Sequence, residues 1–455
     1  MTRTLPRSTP SAHGVDAAGI TAFVRALETT PQVEPHSIML LRGGAVIAEG
    51  WWSPYEEGRP HLLYSLSKSF TSTAVGLAST EGLLDLDDTV LSHFPELDAE
   101  VTDPRSRRIR IRHVLSMASG HREDSLDRAD ALDPVDLVRG FLLVPPDQEP
   151  GTVFAYNQPC TFAAAAIVQR AAGVSLTEYL RPRLLDPLGI GPVAWLRDPL
   201  GREWGYSGMH ADTEAIAALG QLYLSGGGDL LSPEWVADAT SEHIDNGTDP
   251  DSDWAQGYGF QFWRARHGYR GDGAYGQFCV VLPEHNVVLA LTGQSHDMQA
   301  VLNLAWTHLL PAFDGPGSAA ADAELASVLG GLGLEPVAST QARGTLPATL
   351  RAAAGNAHPP LTAITVDGDA LVLHDGADRL RIVPGYGSWI ETDALTASAG
   401  WAAGRLHVDV IFIETPHRMH LVLDPVTAAF TARWATVPLH PVPLAALRAP
   451  VHFVG

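Results

Sequence analysis

The chain has 455 residues, with 52 acidic against 30 basic side chains and a formal net charge of −22. A composition of 45% apolar and 18% charged residues fits a folded protein of about two or three domains, not a disordered one. So acidic a balance argues against sequence-independent binding to nucleic acid, which depends on clustered cations.

Read along the chain, Met1 to Ile20 lacks an apolar core of the signal-peptide kind. No apolar run approaches the roughly 18 residues of a spanning helix, so a cytoplasmic protein without a membrane partner is expected. Asp16 to Leu27 places Ile20, Phe23, Val24 and Leu27 on one helical face. Residues 37–50 alternate around Gly43-Gly44, which predicts a hairpin. From Ser65 to about Thr240 the pattern is mostly helical, with helices over Thr161–Ala172, Leu176–Leu185 and Ala211–Leu224. The arginine run Arg105, Arg107, Arg108, Arg110 and Arg112, with Ile109 and Ile111 interleaved, reads as a strand or loop edge.

Strands return at Tyr258–Trp263, Gln277–Leu282 and Val287–Leu291, followed by a helix over Val301–Leu310. Strands at both ends with helices between them predict one α+β domain, 1–313, whose terminal strands share a sheet beside a helical lobe. Asp314-Gly315-Pro316-Gly317-Ser318 breaks the pattern. Residues 320–455 then read as a small, mostly-β accessory domain with strands at Ala363–Val366, Leu371–His374, Leu380–Val383, Arg405–Ile413, Met419–Leu423 and Phe430–Trp434. That domain carries no readable chemistry; covering a pocket mouth, narrowing substrate choice and forming a homodimer are its candidate roles. Cys160 and Cys279 sit in apolar surroundings and read as buried free thiols.

All but one of the 30 cations are arginine, and the exception is Lys68. It stands in Tyr64-Ser65-Leu66-Ser67-Lys68-Ser69-Phe70, three residues after Ser65. At a helix start that spacing puts both side chains on one face. A serine hydroxyl attacks poorly until a base takes its proton, and a lysine amine does so once burial or neighbours lower its pKa. Arginine stays protonated and cannot replace it. A solvated surface lysine is the plain alternative.

The S-x-x-K unit and the segment after it resemble the serine β-lactamase/penicillin-binding-protein superfamily. The closest branch holds class C β-lactamases, D-alanyl-D-alanine peptidases and esterases. Ile111-Arg112-His113-Val114-Leu115-Ser116-Met117-Ala118-Ser119-Gly120, Pro150-Gly151-Thr152-Val153-Phe154-Ala155-Tyr156-Asn157, Gly208 to Gly227, and Gly257-Tyr258-Gly259-Phe260 resemble further segments of that branch. The similarity runs from about residue 20 to 312.

The resemblance implies a β-lactamase-like antiparallel sheet flanked by helices, and a mechanism without metal or organic cofactor. It makes Ser65 the nucleophile, Lys68 its base, and Tyr156 a proton shuttle. A phenol near an ammonium is expected to have a lowered pKa. Gln158 stands where the family has asparagine. The family's third element, K-T-G or H-x-G on a strand facing the serine, is best matched by Asp272-Gly273-Ala274, with the Tyr275 and Ser65 backbone N–H groups as an oxyanion hole.

Asp272 replaces a cation that in the family holds a substrate carboxylate. An aspartate would repel that group, with Arg270 a candidate to compensate. This shifts the expected substrate from a β-lactam or D-alanyl-D-alanine peptide to a small ester or amide. A β-lactamase, a D,D-peptidase and a catalytically silent binding protein of the same fold are the alternatives. Trp51, Trp52, Tyr258, Phe260 and Trp263 are candidates to line an apolar pocket. His417 and His420 lack an evident third metal ligand, and no G-x-S-x-G elbow or H-E-x-x-H occurs.

Overall fold

The computed structural model describes residues 5–450. They form two compact units: the chain up to Gly50 with Leu63–Gly330, and Trp51–Leu62 with Gly331–Pro450. The division thus falls at Gly330, beyond the break expected from sequence, and an early segment goes with the second unit.

The first unit is built on a six-stranded sheet. Its strands are β1 (Pro35–Arg42), β2 (Ala45–Trp51), β3 (Trp263–Arg264), β4 (Tyr269–Gly273), β5 (Gln277–Leu282) and β6 (Val287–Gly293), in the order β2-β1-β6-β5-β4-β3. The N-terminal hairpin and the later strands do share a sheet, with Ile38 opposite Leu291 and Gly271 opposite Cys279 in antiparallel register. Gly43 and Gly44, with φ of 58° and 80°, supply the two positive dihedrals that a tight hairpin turn requires.

The helices flanking or following this sheet are α1 (Ala17–Thr29), α2 (Ser67–Thr80), α3 (Gln158–Ala172), α4 (Thr213–Leu224), α5 (Met298–Ala312) and α6 (Ala319–Leu329). Helix α4 lies across β1, β5 and β6, and Gly220 is the point of closest approach: a Cβ there would stand 2.5 Å from Val288.

Helix α2 has no polar face, for Ser67 to Ala78 are all buried. Its hydroxyls are satisfied by neighbouring loops. Ser69 donates to the Gln261 carbonyl at 3.0 Å, Thr71 to Gly205 at 2.8 Å and Ser72 to Phe260 at 2.6 Å. An amphipathic pattern is absent because the helix is central and packs on every side.

Two expectations fail locally. The strand expected over Tyr258–Trp263 is paired as a strand only from Trp263, and Gln261 has φ of 64°. The Gln261 amide donates to the Val114 and Leu115 carbonyls and accepts from the Thr161 hydroxyl, so tertiary hydrogen bonds replace the ladder. Of the strand or loop edge expected for the arginine run, the strand is the part that fails: it is a loop with a 3-10 turn (Ser106–Arg108) and an isolated bridge from Arg110 to Thr89, leading into a short helix (Ile111–Leu115). Each of its arginines meets a carboxylate: Asp103, Asp98, Glu149 and, for Arg110 and Arg112, Asp87.

The second unit carries a nine-stranded sheet: β7 (Thr349–Ala352), β8 (Leu361–Asp367), β9 (Ala370–Asp375), β10 (Asp378–Ile382), β11 (Ile390–Thr392), β12 (Leu395–Ala402), β13 (Arg405–Phe412), β14 (Arg418–Asp424) and β15 (Ala429–Thr436). Their order is β10-β9-β8-β7-β15-β14-β13-β12-β11, and the β7–β15 pair alone is parallel. A bridge from Gly385 to Ser398 carries the chain after β10 onto β12, so the sheet curls into a barrel-like form. Burial alternates along β14, and Leu350, Ile364, Leu373, Trp401, Val408, Leu421 and Phe430 fill the inside.

Candidate active site

The site forms where the start of α2 meets β4. A single 3-10 turn, Tyr64–Leu66, leads into the helix, and Tyr64 has φ of 48°. That conformation is strained for an aromatic residue and persists only where the surroundings hold it. Here the Leu63 N–H donates to the Met209 carbonyl at 2.8 Å, and the Met209 N–H donates to Ser67 Oγ at 3.1 Å. Between Leu63 and Ala78 every residue is buried except Ser65. The chain thus offers solvent one hydroxyl from an otherwise sealed segment.

Lys68 is buried one turn below, with Nζ 3.1 Å from Ser65 Oγ. Nζ also donates to Gln158 Oε1 at 2.6 Å and to the Tyr206 carbonyl at 2.8 Å. Burial pulls its pKa from 10.5 down to about 7, against the opposing pull of Asp124 and Asp272. A neutral amine has two N–H donors and one lone pair. Two carbonyl oxygens take the donors, which leaves the lone pair for the serine.

Tyr156 packs against the same amine, with Nζ 4.7 Å from its ring centroid. Its ring stacks on Trp263 at 5.2 Å and meets Tyr258 edge-on at 6.3 Å. Desolvation among these rings, with Asp272 nearby, pushes the phenol's pKa up, although its hydrogen bond to Ser65 pulls the other way. The lowered phenol pKa expected from a neighbouring ammonium is therefore corrected: burial disfavours a phenolate and outweighs the amine.

Tyr156 and Gln158 are held by two zipped loops. Ala155 N–H donates to the Met117 carbonyl at 3.0 Å, and Gly151 N–H to Ala118 at 2.7 Å. Asp124 Oδ1 accepts the Gln158 N–H at 3.2 Å and the Leu126 N–H at 3.1 Å. In return Asn157 Oδ1 accepts both the Ser125 N–H and hydroxyl at 2.9 Å. This reciprocal clamp caps α3 from another loop and fixes the amide that grips Lys68.

Strand β4 closes the other side. Gly273 presses on the serine turn: a Cβ there would lie 2.1 Å from the Leu63 carbonyl oxygen and 3.1 Å from the Leu66 nitrogen. Any side chain at this position would push the strand away. Ala274 lies in the turn after β4, where its carbonyl accepts from Gln277 Nε2 at 3.0 Å. Tyr275 follows with φ of 67°, and its ring meets Tyr64 edge-on at 5.8 Å.

Asp272 is a buried strand residue, and its Oδ2 accepts from Arg270 Nε at 2.9 Å. Burial pushes its carboxyl up and the Arg270 guanidinium down, and each is held charged by the other. Arg270, the candidate to receive a substrate carboxylate, is buried and has its Nε engaged by Asp272.

Residues 20–310 match the Beta-lactamase family. The chain belongs to that family. Among its curated relatives is the 6-aminohexanoate-dimer hydrolase of Paenarthrobacter ureafaciens, 28% identical over 44% of this chain and 55% of the relative. Another is the lovastatin esterase of Penicillium rubens, 29% identical over 41% and 52%. The chain spans about half the length of these relatives. A solved structure titled as a putative 6-aminohexanoate-dimer hydrolase from Bacillus anthracis superposes with a TM-score of 0.55 at 19% identity, covering 69% of this chain and 88% of that one.

In this member of the Beta-lactamase family, Ser65, Lys68, Tyr156 and Gln158 come together, and Asp272 acts electrostatically on both Lys68 and Tyr156. Of the aromatic candidates, Tyr258 and Trp263 line Tyr156, while Phe260 is buried against His243 at 3.9 Å. Trp51 and Trp52 fall in the other unit.

The sequence reading missed Asp124 and Asn157, and the Tyr206 carbonyl as a lysine acceptor. Asn157 closes the Pro150–Asn157 segment but carried no assigned role. A backbone carbonyl leaves no trace in residue type. Cys160 and Cys279 are buried and free. His417 is buried on the Thr436 carbonyl and His420 pairs with Asp409. Among the described residues no group of three or more His, Cys, Asp or Glu side chains is placed to hold a metal, and no single helix is long and apolar enough to cross a membrane.

Proposed function

We propose that this protein is a serine hydrolase that cleaves an ester or amide of a small molecule through a Ser65 acyl-enzyme. The observation that carries this reading is the environment of Lys68: a buried amine with its pKa lowered to about 7, two donors engaged by carbonyls, 3.1 Å from the half-buried Ser65 hydroxyl. Ser65 Oγ attacks the substrate carbonyl carbon as its proton passes to Lys68 Nζ. The oxygen of the tetrahedral adduct gains the electron pair and is stabilised by the backbone N–H groups of Ser65 and Tyr275.

Collapse expels the alkoxide or amine, which receives the proton from Lys68 by way of the Tyr156 hydroxyl. With its pKa raised, Tyr156 is suited to relay, accepting one proton as it gives another, and not to act as a phenolate base. Water then attacks the acyl ester with Lys68 again as base, which releases the acid and restores Ser65. That one curated relative is named a 6-aminohexanoate-dimer hydrolase and another a lovastatin esterase supports a hydrolase reading.

The experiment is labelling with a fluorophosphonate probe together with hydrolysis of p-nitrophenyl butyrate. Ser65 is expected to be the labelled residue, and Ser65→Ala to lose both labelling and turnover. Full activity in Ser65→Ala would end this reading.

A further inference from the structure

We infer that the site accepts acyl compounds bearing a positive charge or hydrogen-bond donor on the acyl chain and rejects those bearing a carboxylate there, with Asp272 the deciding residue. This rests on the acyl-enzyme reading of Ser65 and names the substrate class of the same site.

The charged groups acting at Lys68 and Tyr156 are Asp272, Asp124 and Arg270. Two carboxylates against one guanidinium leave an excess of one negative charge among these three groups. The single cation among them is withdrawn. Arg270 has no solvent exposure and its guanidinium lies 4.4 Å from the Trp254 ring centroid and 5.8 Å from that of Trp263. Its Nη1 donates to the Asp253 carbonyl at 2.7 Å and to that of Arg264 at 3.4 Å. Asp253's own carboxylate is held by Arg266 at 2.7 Å.

An arginine grips a carboxylate best along one edge, with two parallel N–H groups. On Arg270 the edge formed by Nε and Nη2 is half filled: Nε donates to Asp272, and Nη2 is buried without a hydrogen-bond partner. Asp272 retains 6% exposure where Arg270 has none. A substrate entering beside Tyr156 therefore meets the carboxylate of the pair, with the cation behind it. Carboxylate facing carboxylate is repelled, whereas an ammonium or N–H group gains an acceptor.

The test is a charge series of p-nitrophenyl esters: 4-(trimethylammonio)butanoate, hexanoate and hydrogen glutarate. For the wild-type protein kcat/KM is expected to fall in that order, with at least about tenfold between the first and last. Asp272→Asn keeps an oxygen acceptor for Arg270 Nε and removes the charge. It is expected to raise the glutarate-to-hexanoate ratio at least about tenfold.

Inhibition by 3-carboxyphenylboronic acid against phenylboronic acid gives the same comparison without turnover: the wild type is expected to prefer the uncharged boronate, and Asp272→Asn to narrow the gap. Glutarate turned over as well as hexanoate by the wild type, or a ratio unmoved in a folded Asp272→Asn, overturns the inference. Should that variant not fold, the wild-type orders alone decide. Absence of turnover of every ester together with absence of boronate binding would instead overturn the acyl-enzyme reading beneath it.

Discussion

Lys68→Arg keeps a positive charge and a hydrogen-bonding head and removes only the ability to be neutral. The structure allows the loss to be sized. Burial lowers the amine from 10.5 to about 7, so at pH 8 roughly nine lysines in ten are free base. A free arginine has a pKa of up to about 13.8. If the same pocket lowered it equally, to about 10.3, roughly one guanidinium in 200 would be neutral at pH 8. Loss of a positioned general base typically costs about 10²–10⁴-fold in rate. The expected fall in kcat/KM is therefore at least about 200-fold.

The pH profile adds a second signature. Wild-type kcat/KM on p-nitrophenyl butyrate is expected to rise through pH about 7 as Lys68 deprotonates. Any residue of Lys68→Arg activity should keep rising well above that pH. Circular dichroism establishes that the variant is folded. If folded Lys68→Arg kept more than a tenth of the activity at pH 8, with an unchanged profile, Lys68 would not be the base.

Two other predictions concern the same amine. Its folded pKa lies below the unfolded value of 10.5, so between about pH 7 and 10.5 the unfolded chain binds the extra proton. The resulting cost to stability is full below pH 7, about 5 kcal/mol, and disappears as pH rises to 10.5. Lys68→Met should thus be inactive yet more stable at pH 6. Allowing about 3 kcal/mol for three lost hydrogen bonds, the gain is on the order of 2 kcal/mol. Urea unfolding should show that gain shrinking by pH 9.5, and a pH-independent difference would contradict the buried, neutral amine. Asp124→Asn keeps acceptors for the Gln158 and Leu126 N–H groups and removes a charge that supports the ammonium form. The acid limb of kcat/KM should move to lower pH with the protein's melting behaviour little changed; an immobile limb would reduce Asp124 to a helix cap.

Much of the fold was legible where the pattern was local. The periodic α1 and the alternating β14 carry their burial in their own sequence, and Gly43-Gly44 marks its hairpin turn, although the hairpin strands are buried on both faces and not in alternation. Strand β12, Leu395–Ala402, was missed because Thr, Ala, Ser and Gly dominate it, although it is almost wholly buried. Gly400 there has the Ala338 carbonyl oxygen 2.4 Å from where a Cβ would be, a close approach that no local rule anticipates. Tyr258–Trp263 failed in the opposite sense: its residues favour strand, but Gln261 is captured by carbonyls from a segment nearly 150 residues earlier.

The sequence by itself determined which atoms are available: one lysine in 455 residues, three positions from a serine, and a tyrosine in a resembling motif. Those depend on residue type and short spacing, which sequence records directly. Only the tertiary structure decided their state. The depth of burial that lowers the Lys68 pKa, the carbonyl of Tyr206 that orients it and the Asp124–Asn157 clamp behind Gln158 arise between distant segments, and the Asp272–Arg270 pair, though only two residues apart on one strand, owes its burial to the packing around it. A pKa is a property of surroundings, and surroundings exist only once the chain is folded.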